Sequence, residues 1–203
     1  MDPAKAKEIY EDLYKEINGR SLSLEGRESQ QLSSKSFVYG EAVLNPFIEL
    51  IKEANPAPGG VFLDAGSGTG KAVFIAHLFF DFKKSVGVEL LEALYKASEQ
   101  VLERYEKEFR PQIKNDVGDR EVKFIHGNIL DIDYSNADLV FMNSTCFQED
   151  LMEGLVPYVN DMKPGSTLVT LSKSINSPAF ELYKQKMFEF SWGQGTGFYH
   201  RKK

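Results

Sequence analysis

The sequence predicts an α/β protein in which a mostly parallel seven-stranded sheet has helices on both faces and follows an N-terminal helical extension. Two observations predict this class. From residue 61 onward, short apolar segments alternate with longer segments that have helical periodicity. A glycine-rich turn joins the first apolar segment to the first of those helices. Short apolar strands that alternate with helices are typical of a parallel sheet covered on both faces.

Residues 1–55 are predicted to form a helical segment and a loop that pack on the main domain. Asp2-Pro3 supplies an N-cap and a first-turn proline, and the helix is expected to end at Asn18-Gly19. Ile9, Leu13 and Ile17 recur every four residues and form one apolar face. Residues 20–36 are rich in Ser, Gln, Glu and Arg and are predicted to be a loop. A second helix is expected after residue 41, with a buried stripe made of Leu44, Phe47, Ile48 and Ile51.

The main domain is predicted to occupy residues 56–203, because the proline- and glycine-rich segment 55–60 breaks the pattern. Its strands are expected over 61–65, 85–90, 121–125, 138–143, 166–172, 188–192 and 197–201. Its helices are expected over 69–80, 91–109, 148–162 and 177–187. In parallel sheets of this kind, ligands bind at the carboxyl ends of the strands, so motifs at those ends carry the most functional weight.

The composition is that of an ordinary globular protein. Hydrophobic residues make up 42 % of the chain and charged residues 27 %, which disfavours disorder. No apolar run approaches the roughly 18 residues that cross a bilayer, and the charged N-terminus predicts no secretory signal. The single cysteine excludes an internal disulfide framework and a cysteine-based zinc site. We therefore expect an intracellular protein with no metal site and no membrane association.

The charge is distributed unevenly along the chain. The formal net charge is −6, which disfavours nucleic-acid binding through bulk charge. From Leu171 to Lys203 there are six basic and two acidic residues, or +4, so the preceding part carries −10. An acidic body suits a basic protein partner, and plain solubility is the alternative interpretation. The expected oligomeric state is a monomer.

The glycine-rich turn spans Val61 to Lys71 and is open to several interpretations. A P-loop requires a glycine where Ala65 stands and a hydroxyl where Ala72 stands, so two positions fail. A dinucleotide fingerprint that starts at Gly66 requires a third glycine where Lys71 stands. Neither nucleotide-binding pattern therefore fits well.

A site for S-adenosyl-L-methionine fits the same turn better. Asp64 ends the first strand, glycines line the turn, and Glu89 ends the next strand. A carboxylate at that second position can accept hydrogen bonds from both ribose hydroxyls, and the helix that follows the turn favours the methionine carboxylate. This pattern resembles the Rossmann-like class I methyltransferases. A structural turn without a ligand remains the alternative.

Four further segments narrow the resemblance. They are Val38-Tyr39-Gly40-Glu41, Phe141-Met142-Asn143-Ser144-Thr145-Cys146-Phe147, Lys163-Pro164-Gly165-Ser166 with Leu171-Ser172-Lys173, and Ser191-Trp192 with Phe198-Tyr199-His200. Together they resemble the disruptor-of-telomeric-silencing family, the histone-lysine N-methyltransferases that lack a SET domain. The resemblance runs from about residue 37 to residue 200. It implies a chromatin regulator that uses S-adenosyl-L-methionine, acts on a histone, and is nuclear if that is the substrate and cytoplasmic otherwise.

The resemblance also implies the roles of individual residues. The matching cofactor positions are Tyr39, Asp64, Gly66, Ser67, Gly68, Gly70, Glu89, Leu90, Asn128, Ile129 and Asn143. The implied catalytic residues are Asn143, beside the transferable methyl group, and Tyr199. The implied walls of the lysine channel are Phe147, Phe198 and Tyr199, with Trp192 nearby, although such aromatic residues also serve as plain core.

The chain departs from the family at several positions. Ser144 stands for the second asparagine of the Asn-Asn-Phe-x-Phe motif, Thr145 for an aromatic residue, and Asn128 for the acid that faces adenine. No acid occurs among residues 33–36, and only Arg201-Lys202-Lys203 represents the basic extension of nucleosome-binding members. Two alternatives therefore stay open. The enzyme could act on a non-histone protein or small amine, or the chain could be a cofactor-binding module with weak or no catalysis.

Overall fold

The computed structural model describes residues 1–34, 36, 40, 42–190 and 193–203. Three helices come first, followed by a domain in which strands and helices alternate. The helices are α1 (Pro3–Tyr14), α2 (Gly19–Ser29), α3 (Leu44–Ala54), α4 (Lys71–Phe79), α5 (Glu92–Arg104), α6 (Lys114–Val117) and α7 (Glu149–Val159). The strands are β1 (Val61–Ala65), β2 (Lys84–Glu89), β3 (Glu121–His126), β4 (Leu139–Met142), β5 (Thr167–Leu171), β6 (Phe180–Phe190) and β7 (Gly193–Lys202).

Within the described residues, the strands form one seven-stranded sheet in the order β3-β2-β1-β4-β5-β7-β6. The first five strands in that order are parallel, and β7 runs antiparallel between β5 and β6. The order along the chain reverses between β1 and β4, and this switch point opens a crevice at the carboxyl ends of the two strands. The predicted α/β class with a mostly parallel seven-stranded sheet is confirmed.

Alternate side chains of the central strands point into two separate cores. On one face, Phe62 and Phe141 pack with α1, α3 and α4, and the rings of Phe47 and Phe141 meet edge to face at 4.8 Å. On the other face, Leu63 and Val140 pack against α7 and the segment that follows β3. Because both faces are covered, the strands carry few polar residues, which explains their clear signal in the sequence.

The N-terminal helices are packed on the sheet domain. The Asp2 carboxylate accepts from the N–H groups of Ala4 and Lys5, as the predicted N-cap requires. At the other end of α1, the Tyr14 hydroxyl donates to the carbonyl of Thr69 in the glycine-rich turn at 3.1 Å. Side chains from α1 and α3 belong to the same core as α4. The N-terminal segment therefore supports the turn directly.

Three segments differ from the sequence prediction. Residues 20–36 were expected to be a loop, but helix α2 covers residues 19–29, and the Asn18 side chain caps it by accepting from the Ser21 N–H at 3.1 Å. Residues 177–187 were expected to be a helix, but most of them form strand β6, which pairs with β7 from Phe180 to Phe190 with one shift of register between Leu182 and Lys184. In addition, α5 ends at Arg104 and continues as a π-helical turn to Phe109, where a single helix was expected.

No helix among the described residues has the length and apolar character needed to cross a bilayer. Those residues also contain no cluster of three or more His, Cys, Asp or Glu side chains arranged to hold a metal ion.

An ion cluster joins the N-terminal segment to the sheet edge and should make stability depend on pH. Glu53 of α3 accepts from the ammonium groups of Lys184 and Lys186 on β6, and these hydrogen bonds lower the pKa of Glu53 to about 2. Since this pKa lies below its ordinary value of 4.5, the ionised carboxylate stabilises the fold above pH 4.5, and the contribution is lost as the pH falls toward 2.

We therefore expect Glu53→Gln to flatten the pH dependence of the free energy of unfolding between those two pH values. The effect should be small, because the three side chains are partly exposed and the pairing is screened by solvent. Urea unfolding of both proteins at several pH values measures it. Parallel curves for the wild type and the variant would contradict the expectation.

Candidate active site

A cavity of about 600 Å³ lies at the carboxyl ends of the parallel strands. This volume is in the range of sites that hold a ligand the size of a nucleoside. Every parallel strand from β1 to β4 contributes a residue that follows its end, and α5, α7 and the segment before α3 complete the wall. The lining residues are Ser34, Ser36, Gly40, Gly66, Glu89, Leu90, Leu91, Leu94, Asn128, Ile129, Leu130, Asn143, Thr145, Cys146, Phe147, Asp150 and Leu151.

The glycine-rich turn contributes Gly66 to the wall of this cavity. The N–H groups of Gly66 and Ser67 both donate to the carbonyl of Val88, which ties the turn to β2. Gly66, Gly68 and Gly70 have φ values of 90°, 55° and 83°, a region that favours glycine. A side chain at Gly70 would also approach the Phe124 ring within 2.4 Å. The turn therefore needs glycine both for its backbone conformation and for its close packing on β3.

Glu89 is positioned by the backbone on both sides of its strand end. Its carboxylate accepts from the Gly68 N–H at 2.7 Å and from the Leu91 N–H at 2.8 Å. The side chain is 8 % exposed, and burial raises the pKa of Glu89 despite these two bonds. Its acceptor oxygens thus stand beside both the turn and the cavity, where the sequence predicts contact with a ribose.

Asp64 lies at the end of β1 and lines a second, smaller cavity. Burial and, to a lesser extent, the nearby Glu89 carboxylate raise its pKa well above the usual range. Ser67 lines the same small cavity, is 7 % exposed, and its hydroxyl finds no partner among the described residues. This corner therefore holds two buried polar groups that can accept or donate hydrogen bonds.

The end of the larger cavity near β3 suits a flat, partly polar ring. Asn128 and Ile129 follow β3 and line the cavity opposite Leu91 and Leu94 of the β2–α5 region. The side-chain amide oxygen Oδ1 of Asn128 accepts from the Leu130 N–H at 3.0 Å, and this hydrogen bond fixes the side chain. A carbonyl oxygen has two lone pairs, so a second donor can still be accepted there.

Asn143 stands where the two cavities meet. It lines both of them, together with Gly40 and Gly66. Its Nδ2 donates to the Gly40 carbonyl at 3.0 Å, and its Oδ1 accepts from the Thr145 hydroxyl at 2.8 Å, with a longer contact of 3.4 Å from the Thr145 N–H. Asn143 thus presents a polar side chain to both cavities.

The small cavity has room for little more than one small group. Its volume is about 30 Å³, roughly the share of liquid that one water molecule occupies. Its apolar walls come from Phe47, Phe141, Leu171 and Phe190, and its polar lining comes from Asp64, Ser67, Lys71 and Asn143. A space of this size beside Asn143 fits the tip of an extended side chain and excludes bulk water.

The structure places the predicted aromatic residues differently from the sequence prediction. Tyr199 has no exposed surface, donates its hydroxyl to the Leu50 carbonyl at 3.1 Å, and lines neither cavity. Phe198, half-buried and paired with Thr170, also lines neither. Neighbouring residues of a strand point to opposite faces, so Tyr199 and Phe198 cannot both wall one channel.

The other predicted residues divide into three groups. Phe147, which was predicted to wall the lysine channel, lines the large cavity next to Gly66 and does not line the small one. Leu90 lines the large cavity as well. Gly68 and Gly70 shape the turn without lining either cavity. Tyr39 and Trp192 lie outside the described residues.

Several lining residues escaped the sequence prediction. Phe190 ends β6 and walls the small cavity, Thr145 bonds Asn143, and Lys71 opens α4 beside Asp64. Phe190 lies within the strand predicted over residues 188–192, and its place near the end of that strand is the signal that could have identified it. Thr145 carries no such signal, because its role depends on the path of the backbone after β4.

Comparisons with known proteins agree with this geometry. The sequence profile of the family described as "Histone methylation protein DOT1" matches residues 21–191. A protein of Caenorhabditis elegans named "Histone-lysine N-methyltransferase, H3 lysine-79 specific" is 31 % identical over 144 residues, which are 68 % of this chain and 15 % of that protein. A protein of the same name from Gibberella zeae is 30 % identical over 156 residues, which are 72 % of this chain and 30 % of that protein.

The fold is also similar to solved methyltransferases. An RNA methyltransferase from Salinibacter ruber, solved with S-adenosyl-L-homocysteine, superposes with a TM-score of 0.57. It is 18 % identical, and the match covers 80 % of this chain and 93 % of that one. The sheet and its surrounding helices thus form the class I methyltransferase fold, as predicted. The chain spans 15 % to 30 % of the length of the first three curated relatives.

Proposed function

The chain belongs to the DOT1 histone-methylation family, and on this basis we propose that it transfers a methyl group from S-adenosyl-L-methionine to a lysine side chain of a histone. The observation that carries the proposal is the position of Asn143. It lines both a cavity sized for the cofactor and a small space that could receive the end of a lysine. The names of the relatives supply the histone.

The residues around the large cavity fit the proposed cofactor. Glu89 offers two carboxylate oxygens for the ribose hydroxyls, and Asn128 with the Leu91 and Leu94 side chains suits the adenine. Gly66 lets the backbone approach the methionine part closely. When bound, the cofactor supplies an electrophilic methyl group on a positively charged sulfur.

The protein's part in the reaction is to deliver a neutral, aligned amine. A lysine with an ordinary pKa of about 10.4 is neutral only about once in a few thousand molecules at pH 7, a cost of roughly 4–5 kcal/mol. The small cavity is lined both by apolar groups and by the polar side chains of Asp64, Ser67 and Lys71. Desolvation by its apolar walls disfavours the charged form of a lysine that enters it. The Asn143 Oδ1 accepts from the Thr145 hydroxyl at 2.8 Å, and its contact with the Thr145 N–H is long at 3.4 Å. An amine N–H can take the place of that long contact, which leaves the nitrogen lone pair directed at the methyl group.

The acidic charge of the chain supports a basic protein as the acceptor. Histones are basic, and attraction to a chain with a net charge of −6 raises the rate of encounter. With a histone as the acceptor, the protein would act on chromatin in the nucleus. The predicted monomeric state stays a prediction.

The proposal is tested by methyl transfer from labelled S-adenosyl-L-methionine. Nucleosomes, free core histones and total cell protein are offered in parallel, with Glu89→Ala as the control for cofactor binding. Label on histone lysine supports the proposal. Label confined to other proteins would retain the methyl transfer and reject the histone. Cofactor binding with no transfer to any acceptor would reject the enzymatic function.

A further inference from the structure

A chain of hydrogen bonds leads from Asn143 into the segment after β5. The Thr145 hydroxyl lies 2.8 Å from the Asn143 Oδ1 and 2.9 Å from the Ser172 hydroxyl. The Asn143 Oδ1 has no proton, so Thr145 must donate to it. Thr145 has only one hydroxyl proton, and Ser172 must therefore donate to Thr145. The direction of both bonds follows from this single constraint.

The other half of the Asn143 amide is fixed as well. Its Nδ2 donates to the Gly40 carbonyl at 3.0 Å, which is compatible only with the same orientation of the amide. An asparagine amide is otherwise free to turn about its last torsion, where two opposite orientations have similar energy. In the reversed orientation the NH₂ group would stand in place of Oδ1 and compete for the amine lone pair.

The serine at the end of this chain of bonds has an unusual backbone. Ser172 has a φ of 75°, the left-handed region that residues other than glycine seldom adopt. Its N–H donates to the Thr196 carbonyl at 2.7 Å. The buried Ser144 hydroxyl lies 2.7 Å from the Leu171 carbonyl and 3.1 Å from the Lys173 carbonyl, so it contacts both neighbours of Ser172. A strained conformation that several contacts hold in place is a reason to look for a function.

From these observations we infer that Thr145 and Ser172 are positioning residues that hold the Asn143 carbonyl oxygen toward the acceptor amine. The inference rests on the proposed methyl transfer and specifies how its alignment is achieved in this chain. Ser144 holds the backbone on both sides of Ser172. The two residues that depart from the family motif after Asn143 thus have a joint role. Thr145 orients the Asn143 amide directly, and Ser144 holds the backbone around Ser172, the hydrogen-bond partner of Thr145.

The decisive variant is Thr145→Val, which keeps the shape of the side chain and removes the hydroxyl. We expect the kcat for methyl transfer to fall about tenfold, in line with the loss of one hydrogen bond. The KM for S-adenosyl-L-methionine should stay within about twofold of the wild-type value, since Thr145 only borders the large cavity. Thr145→Ser should restore kcat, and Ser172→Ala should lower it to a smaller extent.

Thr170→Val is the matched control. Thr170 lies on β5, is fully buried, and its hydroxyl finds no partner among the described residues. The same exchange there removes no hydrogen bond, so it should leave both kcat and the melting temperature close to wild type. A fall in kcat for Thr170→Val equal to that for Thr145→Val would overturn the inference, because the effect would then be general to this part of the fold.

A second readout does not depend on activity. The side-chain amide resonances of Asn143, assigned by their loss in Asn143→Ala, report the orientation of the amide in the protein with S-adenosyl-L-homocysteine added. We expect slow hydrogen exchange in the wild type and in Thr145→Ser, and faster exchange with shifted resonances in Thr145→Val and Ser172→Ala.

Unchanged resonances in both hydroxyl-free variants would overturn the positioning role, whatever the activity. If the wild type transfers no methyl group to any acceptor, the proposed function fails. The amide resonances then still decide whether Thr145 and Ser172 orient Asn143. Should Thr145→Val fail to fold, Ser172→Ala applies the same test from the other end of the hydrogen-bond chain.

Discussion

Methyl transfer by Asn143→Ala is expected to be about 10²- to 10³-fold slower than by the wild type, with cofactor affinity nearly unchanged. Asn143 lines both cavities, and the methyl group and the amine would meet beside it. Alanine removes the oxygen that aligns the amine and leaves Glu89, Asn128 and the glycine-rich turn in place. The loss should therefore be in the chemical step.

Single-turnover kinetics and calorimetric titration with S-adenosyl-L-homocysteine separate these two effects. Asn136→Ala is a suitable control, because Asn136 lies on the exposed turn before β4 and bonds only its neighbour Asp133 through its side chain among the described contacts. It should retain wild-type kinetics. A variant at position 143 that keeps wild-type turnover would show that the amine is aligned by another group.

The sheet was predictable because its strands are buried on both faces. Val61–Ala65 and Leu139–Met142 are nearly continuous apolar segments, and each is followed by a turn with glycine or polar residues. Such segments have few alternatives to a central parallel strand. The site at their carboxyl ends followed from topology, and the structure accordingly brings Gly66, Glu89, Asn128 and Asn143 to one cavity.

Strand β6 was not predictable, because its residues favour a helix by themselves. Lys184, Gln185, Lys186 and Met187 are good helix formers, and the exposed Leu182 and Met187 break the alternation expected of a half-buried strand. Pairing with β7 along most of its length decides the outcome. Strand formation at a sheet edge depends on the partner strand more than on intrinsic preference.

Helix α2 was missed for a different reason. Its buried face consists of the small residues Gly19, Ser23 and Gly26. A face of this kind leaves no apolar periodicity in the sequence. The Asn18 cap is the local signal of this helix. The sequence prediction takes Asn18 as the end of α1, but α1 ends at Tyr14 and Asn18 begins α2.

Tyr199 shows that a match to a family motif does not fix the position of a side chain. Its motif matches, yet in this chain the ring lies beneath α3 and its hydroxyl is bonded to the Leu50 carbonyl. The aromatic residues that line the small cavity are Phe47, Phe141 and Phe190, of which Phe190 ends the neighbouring strand β6. Aromatic residues are exchanged easily between such positions because size and apolar character matter more than identity.

Glu89→Ala is expected to weaken S-adenosyl-L-methionine binding about 10²-fold, because two hydrogen bonds to a charged acceptor are lost together. It should also lower stability, since the Gly68 and Leu91 N–H groups lose their acceptor. Glu89→Gln separates the two effects: it keeps the volume and one oxygen, so the fold should suffer less while ribose binding stays weak. Calorimetry and thermal unfolding of the free proteins measure both.

The raised pKa of Glu89 adds a test in the wild type. Burial raises this pKa, so protonation should begin to weaken cofactor binding at a higher pH than for an exposed glutamate, whose ordinary value is 4.5. The decline should vanish in Glu89→Gln, which has no proton to gain. If the wild type and Glu89→Gln bind the cofactor with the same affinity and the same pH dependence, the carboxylate does not hold the ribose. Its role is then limited to accepting hydrogen bonds from the Gly68 and Leu91 N–H groups.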